Sequence, residues 1–467
     1  MAALAACALA VQAALGRLDR GSTWTYFHAS VLAAAAATSI WAITEWAVGS
    51  VTTPHAQFDN PAALAISLCC ALSLMIFNRA LLPRKLQWAF YPAIALTLTA
   101  IATTQSRICI LASAVITAVH LIQTRKRLMA GAFIVLVSAA LAVLMSSKSD
   151  STSGRAFILK LTWEMVAEHP VGGWGVNGYR RNYMLRQAAF FQENPNDEAA
   201  WLADDISHPL CEYLLWWVNF GVMGLLVLGI IFFLPCIHTS RTDVRTQCAA
   251  LAITALASYP LHYPISWLTL AIAWKKAIPR VFNFKRQQLA VIIAAATASI
   301  VIITHAATAL IQQQAERAAL AHRHKTALRL FRKIEPLCSA NPYFLYSYCR
   351  ECYTVGRFGQ ALSLNNQCSE YWNSYDLTLL RADILAHLAR WTDAEVAYLL
   401  AKRMCPVRFA PLEGLMRTYD AIGNTTKLQN IVQEIIDKPV KVPSQTIDDI
   451  KEKARVIVDA NITDATD

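Results

Sequence analysis

Residues 207–235 read SHPLCEYLLWWVNFGVMGLLVLGIIFFLP, and this stretch decides the class of fold. It contains no Lys or Arg, and Glu212 is its only acidic residue. A helix of about 20 mainly apolar residues is long enough to cross the hydrocarbon core of a bilayer. The stretch therefore predicts a transmembrane helix that begins with polar residues.

The whole chain shares this apolar character. Of its 467 residues, 56% are hydrophobic and 16% are charged, whereas a soluble domain has about 45–50% apolar and about 25% charged residues. This composition excludes disordered, collagen-like and disulfide-scaffold proteins. Apolar blocks between the charges predict about ten spans. They lie near residues 2–16, 24–48, 62–82, 86–104, 108–123, 128–145, 210–235, 247–262, 264–279 and 288–309.

The net charge of +11 is concentrated in the apolar part of the chain. Residues 320–467 hold 19 basic and 17 acidic residues, which leaves +9 for residues 1–319. Lys and Arg collect in alternate short loops, which the positive-inside rule places in the cytoplasm. These loops hold Arg17 and Arg20; Arg79, Arg84 and Lys85; Arg125, Lys126 and Arg127; Arg241 and Arg245; and Lys275, Lys276, Arg280, Lys285 and Arg286. We therefore expect no nucleic-acid partner, and we expect the 146–209 loop and the tail after residue 310 on the outer side.

The tail is amphipathic and contains a repeat. Ala327, Ala361 and Ala394 occupy equivalent positions that are 34 and 33 residues apart. This period is typical of tetratricopeptide-like helical hairpins, in which a small residue lets two helices approach closely. The alternative is an unrelated series of amphipathic helices. Either arrangement predicts an outer-side helical domain that binds a protein partner or packs on the 146–209 loop.

A polar group is predicted at the start of the 210–235 span. Pro209 at the first helical position would make His208 the N-cap of this helix. Glu212 and Asn219 follow at helical spacing, so the three residues predict a polar stripe in an apolar span. Such a His can exchange protons near neutral pH, and the alternative is a satisfied structural pair.

Four arginines are candidates for binding a phosphate. Arg107 stands at the outer end of its span, where it either snorkels or binds a diphosphate together with Arg155 and with Arg180 or Arg181. The Gly172–Gly178 run fits a tight loop or a close approach to a ligand. The sequence has no Walker loop, dinucleotide fingerprint or His-Glu-x-x-His motif. We therefore predict neither a cofactor nor a metal.

The order of these motifs resembles the O-antigen ligase superfamily of multispanning transferases. The superfamily includes lipopolysaccharide O-antigen ligases, O-antigen polymerases and protein O-oligosaccharyltransferases. The resemblance covers about residues 100–235. The matching residues are Gln105-Ser106-Arg107, Ser153-Gly154-Arg155 with Trp163, His169-Pro170 before Gly173-Trp174-Gly175, and His208-Pro209 before Glu212-Tyr213-Leu214, Phe220-Gly221 and Gly224-Leu225-Leu226.

The resemblance implies a GT-C-like glycosyltransferase of the bacterial inner membrane. It would move a glycan from an undecaprenyl-diphosphate carrier to a hydroxyl of lipid A-core or of a protein Ser or Thr, at the periplasmic face. Arg107 and Arg155 would hold the diphosphate, with Arg180 and Arg181 as further candidates. His208 would orient or deprotonate the acceptor hydroxyl, and Glu212 would set its tautomer.

The predicted fold is therefore all-α: a polytopic membrane helical bundle with a periplasmic TPR-like domain. The predicted segments are 1–145 for the N-terminal bundle, 146–209 for a periplasmic catalytic loop, 210–310 for the C-terminal spans, 320–430 for the repeat domain and 431–467 for the tail. Membrane lipids and a periplasmic protein are the further partners. The alternative functions are a surface-polysaccharide polymerase and a non-catalytic anchor that presents the repeats. A transporter is less favoured, because it predicts charges spread through several spans.

Overall fold

The computed structural model describes residues 21–49, 51–58, 60–146, 149–278 and 284–464. Within these ranges the regular structure is entirely helical, which confirms the all-α prediction. The α-helices are α1 Gly21–Ala47, α2 Pro61–Met75, α3 Phe90–Thr103, α4 Arg107–Gln123, α5 Arg127–Ser146, α6 Ser149–Glu168, α7 Gly178–Glu193, α8 Glu212–His238, α9 Thr242–Ala255, α10 Pro264–Ala277, α11 Phe284–Leu320, α12 His324–Cys338, α13 Pro342–Thr354, α14 Phe358–Ser369, α15 Tyr375–His387, α16 Trp391–Met404, α17 Ala410–Ala421, α18 Thr425–Asp437 and α19 Gln445–Asp464.

The chain divides into two compact units. Residues 1–149 and 210–304 form the first unit, and residues 150–209 and 305–467 form the second unit. The core of the first unit comes from α1–α4 and α8–α10, which bury small and aliphatic side chains against one another. For helices that cross a bilayer, close packing of such side chains is the main stabilising contact, because lipid is as apolar as the helices are.

Two described helices are long and apolar enough to cross a membrane. They are Trp24–Ala47 of α1 and Glu212–His238, which is α8. The helices α2, α3 and α4 and the segment Arg127–Ala139 are apolar but only 10–17 residues long. The predicted span at 2–16 lies outside the described residues. The predicted membrane character is thus supported at α1 and α8, and the number of ten spans stays a prediction.

The transmembrane candidate α8 is broken at Gly221. This residue has φ 62° and ψ −152°, a conformation that is essentially restricted to glycine. Gly224 allows the close approach that follows, because a Cβ there would lie 2.4 Å from the carbonyl oxygen of Trp216. The two glycines therefore have a local structural role, which is to kink the helix and accommodate the kink.

The repeat of the tail appears in the second unit as regularly spaced helix ends. His322, Gly356, Ala389 and Gly423 each have a positive φ and each lie two residues before α12, α14, α16 or α18. At each site the next N–H donates to the carbonyl five residues earlier, at 2.8–2.9 Å, as in a Schellman motif. The three alanines of the repeat are fully buried at the fourth position of their helices. The period thus reflects one helix pair per repeat, and its tetratricopeptide type stays a prediction.

Within the second unit, α7 packs against α16 of the tail. The fully buried Gln187 donates from Nε2 to the carbonyl oxygen of Met404 at 2.6 Å. Asn373 donates from Nδ2 to the carbonyl oxygen of Arg181 at 2.8 Å. Each bond joins a side chain of α7 or of the tail to a backbone carbonyl of the other. Together they define the position of α7 on the tail.

Candidate functional site

His208 lies in an irregular segment before α8 and does not cap it. The helix begins at Glu212 with Cys211 as its N-cap. Leu210 has φ 54°, and a right-handed helix cannot continue through a left-handed residue. The prediction that Pro209 opens the helix with His208 as its N-cap is therefore wrong. The predicted three-residue stripe is also wrong, because His208 lies outside the helix that contains Glu212 and Asn219.

Both ring nitrogens of His208 contact side chains of the second unit. The Nε2 atom lies 2.8 Å from Nη2 of Arg180, and Nδ1 lies 2.8 Å from Oγ of Ser207. A guanidinium group has only donors, so Nε2 accepts this bond. The proton of a neutral ring then sits on Nδ1 and is donated to Ser207. This geometry assigns a neutral imidazole with a defined tautomer.

Arg180 is placed by the first turn of α7 and by the tail. Its carbonyl oxygen accepts a hydrogen bond from the N–H of Asn373 at 3.2 Å. Its guanidinium carbon lies 5.6 Å from the ring centroid of Tyr343, within the range of a cation–π contact. The first turn contains no acidic residue, and a helix N-terminus is itself positive. Arg180 and the start of α7 therefore place positive charge beside His208, where an anionic group can bind.

Arg181 and Arg155 have different surroundings from Arg180. Arg181 is exposed and donates to the carbonyl oxygen of Trp174 at 3.3 Å. Arg155 is exposed on α6. Of the three candidate arginines in this unit, Arg180 is the one with a described contact to His208.

The glycine-rich segment between α6 and α7 is a tight turn. Gly173, Gly175 and Asn177 all have positive φ. The indole of Trp174 donates to the carbonyl oxygen of Met165 at 2.9 Å, which ties the turn to the end of α6. Gly173 and Gly175 therefore provide the backbone conformation of a tight loop, which is one of the two roles predicted for this run.

The segment before His208 is anchored by ionic contacts with the tail. Arg408 donates to Asp204 at 2.6 Å, and its guanidinium lies over the ring of Tyr375. Burial, together with the nearby carboxylate of Asp376, raises the pKa of Asp205 to about 6. Sequence reasoning did not identify Arg408, Asn373 or Ser207. Ser207 could have been found because it is next to His208 in the sequence. No motif near Arg408 or Asn373 indicates that Arg408 contacts this segment or that Asn373 contacts α7.

Glu212 belongs to the first unit and is fully buried there. Its carboxylate accepts hydrogen bonds from Nε1 of Trp216 at 2.9 Å and from the N–H of Leu261 at 3.4 Å. It also lies 3.9 Å from Nδ1 of His262. Leu261 and His262 are in the turn between α9 and α10. Glu212 thus joins the start of α8 to this turn.

Arg107 is also in the first unit, where it is the first residue of α4 and is half-buried. Ser106 occupies the N-cap position before it. Among the residues that the structure describes, no group of three or more His, Cys, Asp or Glu side chains is arranged to hold a metal ion.

The candidate residues lie in the part of the chain that resembles a known family. The family model described as O-antigen ligase matches residues 92–229, less than a third of the chain. This range contains all six candidate residues: Arg107, Arg155, Arg180, Arg181, His208 and Glu212. The match supports the resemblance to the O-antigen ligase superfamily. No curated protein and no solved structure matches the chain.

Proposed function

We propose that this chain is a membrane glycosyltransferase of the O-antigen ligase type. It takes a glycan from an undecaprenyl-diphosphate carrier and transfers it to a hydroxyl of lipid A-core or of a protein, at the periplasmic face of the inner membrane. The observation that carries the proposal is the contact of His208 with Arg180 and Ser207, inside the region that matches the family model.

The proposed reaction is a single inverting displacement. The acceptor oxygen attacks the anomeric carbon while the bond from that carbon to the diphosphate oxygen breaks. Undecaprenyl diphosphate leaves with the electron pair, and the acceptor proton moves to Nε2 of His208. Guanidinium groups offset the negative charge that grows on the leaving oxygen, which lowers the barrier. No cofactor is required by this scheme.

Arg180 has two roles in the proposal. Before the donor binds, it occupies the lone pair of His208 Nε2 that the acceptor proton needs. A diphosphate is a stronger, charged acceptor for a guanidinium group than a neutral imidazole is. Donor binding therefore draws Arg180 to the phosphate and frees His208, so the base becomes available only when the donor is present.

The other candidate residues are proposed to support this step. Arg107, Arg155 and Arg181 supply further positive charge for the diphosphate. Ser207 keeps the proton on Nδ1 of His208, so Ser207 takes over the tautomer-setting role that the sequence suggested for Glu212. Glu212 holds the start of α8 against the turn between α9 and α10, so it is a positioning residue.

The proposal can be tested in a deletion strain complemented with wild type, His208→Ala or Arg107→Ala. Lipopolysaccharide ladders and glycoprotein staining are examined in the same samples, and the control is His305→Ala, which changes an exposed histidine of α11. We expect wild type and the control to restore a glycan signal and both variants to fail at normal protein levels.

The identity of the restored signal names the acceptor. A change confined to the lengths of surface-polysaccharide chains would instead favour the polymerase. Full restoration by both variants would show that the assigned site is wrong, and it would favour a non-catalytic anchor.

A further inference from the structure

A groove in the second unit is lined almost entirely by cations. It has a volume of about 400 Å³, which is in the range of small-ligand sites. Five basic side chains and one leucine line it: Lys325, Arg329, Arg332, Lys333, Arg357 and Leu328. The first four cations project from α12, and Arg357 is the N-cap of α14. No carboxylate is among the lining residues.

This arrangement is unfavourable for the isolated protein. Lys325 and Arg329 are four residues apart on one helix, as are Arg329 and Lys333, and like charges at this spacing repel. The helix is nevertheless retained, because its opposite face buries Ala327, Phe331 and Ile334 in the core. The cations are therefore held together by the packing beneath them.

The acidic side chains of α12 and α13, Glu335 and Glu351, do not line the groove. Glu351 on α13 is buried, and its carboxylate accepts a hydrogen bond from His324 at 2.9 Å. Five basic groups around one concave surface thus present a site for an anion with several oxygen acceptors, which is the chemistry of a phosphate.

The position of α12 in the chain identifies the source of the phosphate. The last predicted span ends near residue 309, and α12 begins at His324. On either face of a membrane, basic side chains within about a Debye length of the bilayer surface are attracted to the headgroups of anionic lipids. We propose that this groove binds the phosphate headgroup of an anionic membrane lipid. This site is separate from His208 and does not depend on glycosyl transfer.

The site can be tested with the purified full-length chain and defined lipids. The protein is equilibrated in micelles with equal amounts of phosphatidylglycerol and phosphatidylcholine, and retained lipids are counted by native mass spectrometry. The test variant is Lys325→Gln/Arg329→Gln/Lys333→Gln. The control variant is Arg417→Gln/Lys427→Gln/Lys453→Gln, which removes the same charge from tail residues that already have carboxylate partners.

We expect wild type and control to retain at least one more phosphatidylglycerol than the test variant. The affinity of the test variant for this lipid should be about tenfold lower, the effect of removing charged contacts from a solvent-accessible site. Raising the salt from 0.1 M to 1 M should abolish the difference, because ionic attraction is then screened. Equal thermal unfolding midpoints establish that the variants are folded.

Binding of inorganic pyrophosphate, measured by equilibrium dialysis, distinguishes a soluble phosphate from a lipid. If pyrophosphate binds to wild type but all three proteins retain the same lipids, the groove holds a soluble phosphate compound and the lipid assignment is overturned. If the three proteins agree in both measurements, the groove is not an anion site. Either failure leaves the proposed transferase activity untouched, because neither readout involves His208.

Discussion

His208 and Glu212 are four residues apart, but their surroundings differ in kind. His208 is partly exposed, and both its ring nitrogens contact side chains, those of Arg180 and Ser207. Glu212 is fully buried and is held by an indole and a backbone N–H. A substrate can reach the partly exposed His208 and replace its partners, whereas the partners of Glu212 surround a fully buried carboxylate. We therefore expect His208 to change partners during the reaction and Glu212 to keep its partners.

The largest expected effect is that of His208→Ala on turnover. Removal of a general base costs about 10²–10⁴-fold in rate, so we expect about a thousandfold loss of kcat with the fold intact. Initial rates with a lipid-linked donor in nanodiscs measure the effect, and His305→Ala serves as control. A variant that keeps more than about a tenth of the wild-type rate would exclude His208 as the base.

A smaller effect is expected at Arg180, and the neighbouring Arg181 provides the matched comparison. Arg180→Ala should lower kcat/KM for the donor by about a hundredfold, because a charged contact to the leaving group is lost. Arg180→Lys should recover only part of this, since lysine lacks the planar fork. Arg181→Ala should have the weaker effect. Equal losses at the two positions would contradict the assignment of Arg180 as the partner of His208.

Glu212 should affect stability more than chemistry. Glu212→Ala leaves the donors of Trp216 and Leu261 buried without their acceptor, which costs about 1–3 kcal/mol. Glu212→Gln keeps a carbonyl oxygen for Trp216 and should retain most of the turnover. Thermal unfolding and initial rates are measured on the same preparations. If Glu212→Gln instead abolishes turnover at an unchanged unfolding midpoint, Glu212 is part of the proton path.

The smallest effect concerns the anchor of the segment that carries His208. The pKa of Asp205 in the folded protein is about 6, above its ordinary value of 3.8. The folded state therefore binds the proton more tightly, and this contribution to stability is lost as the pH rises from about 4 to above 6. Asp205→Asn should stabilise the protein at pH 7 by about 1 kcal/mol after allowance for solvent screening.

The pH dependence of this variant provides its own control. At pH 4 the wild-type carboxyl is protonated in the folded state, so the unfolding midpoints of wild type and Asp205→Asn should nearly coincide. A stabilisation that is the same at pH 4 and pH 7 would mean that Asp205 does not titrate in this range.

Local sequence patterns predicted the helices well, because helix formation and apolar periodicity are local properties. The stretch 210–235 and the spacing of Ala327, Ala361 and Ala394 are examples. Local patterns failed at Leu210, where a left-handed residue delays the start of α8. This conformation has no signature in a leucine side chain.

The contacts of the candidate site were not predictable in the same way. Arg180 and His208 are 28 residues apart, and Asn373 is 192 residues from Arg181, whose carbonyl oxygen accepts a hydrogen bond from its side chain. Such pairs are fixed by how whole helices pack, and no periodicity of a single segment encodes them. The sequence identified the residue types, and the structure determined which of them meet.

The regular helix ends of the tail have an evolutionary consequence. His322, Gly356, Ala389 and Gly423 mark four junctions with the same backbone conformation, spaced by 34, 33 and 34 residues. A duplicated repeat inserted at one junction would enter and leave with the dihedral angles already present there. Homologous tails should therefore grow or shrink by whole repeats, and a gene duplication of this length can extend the tail without redesign of the remainder.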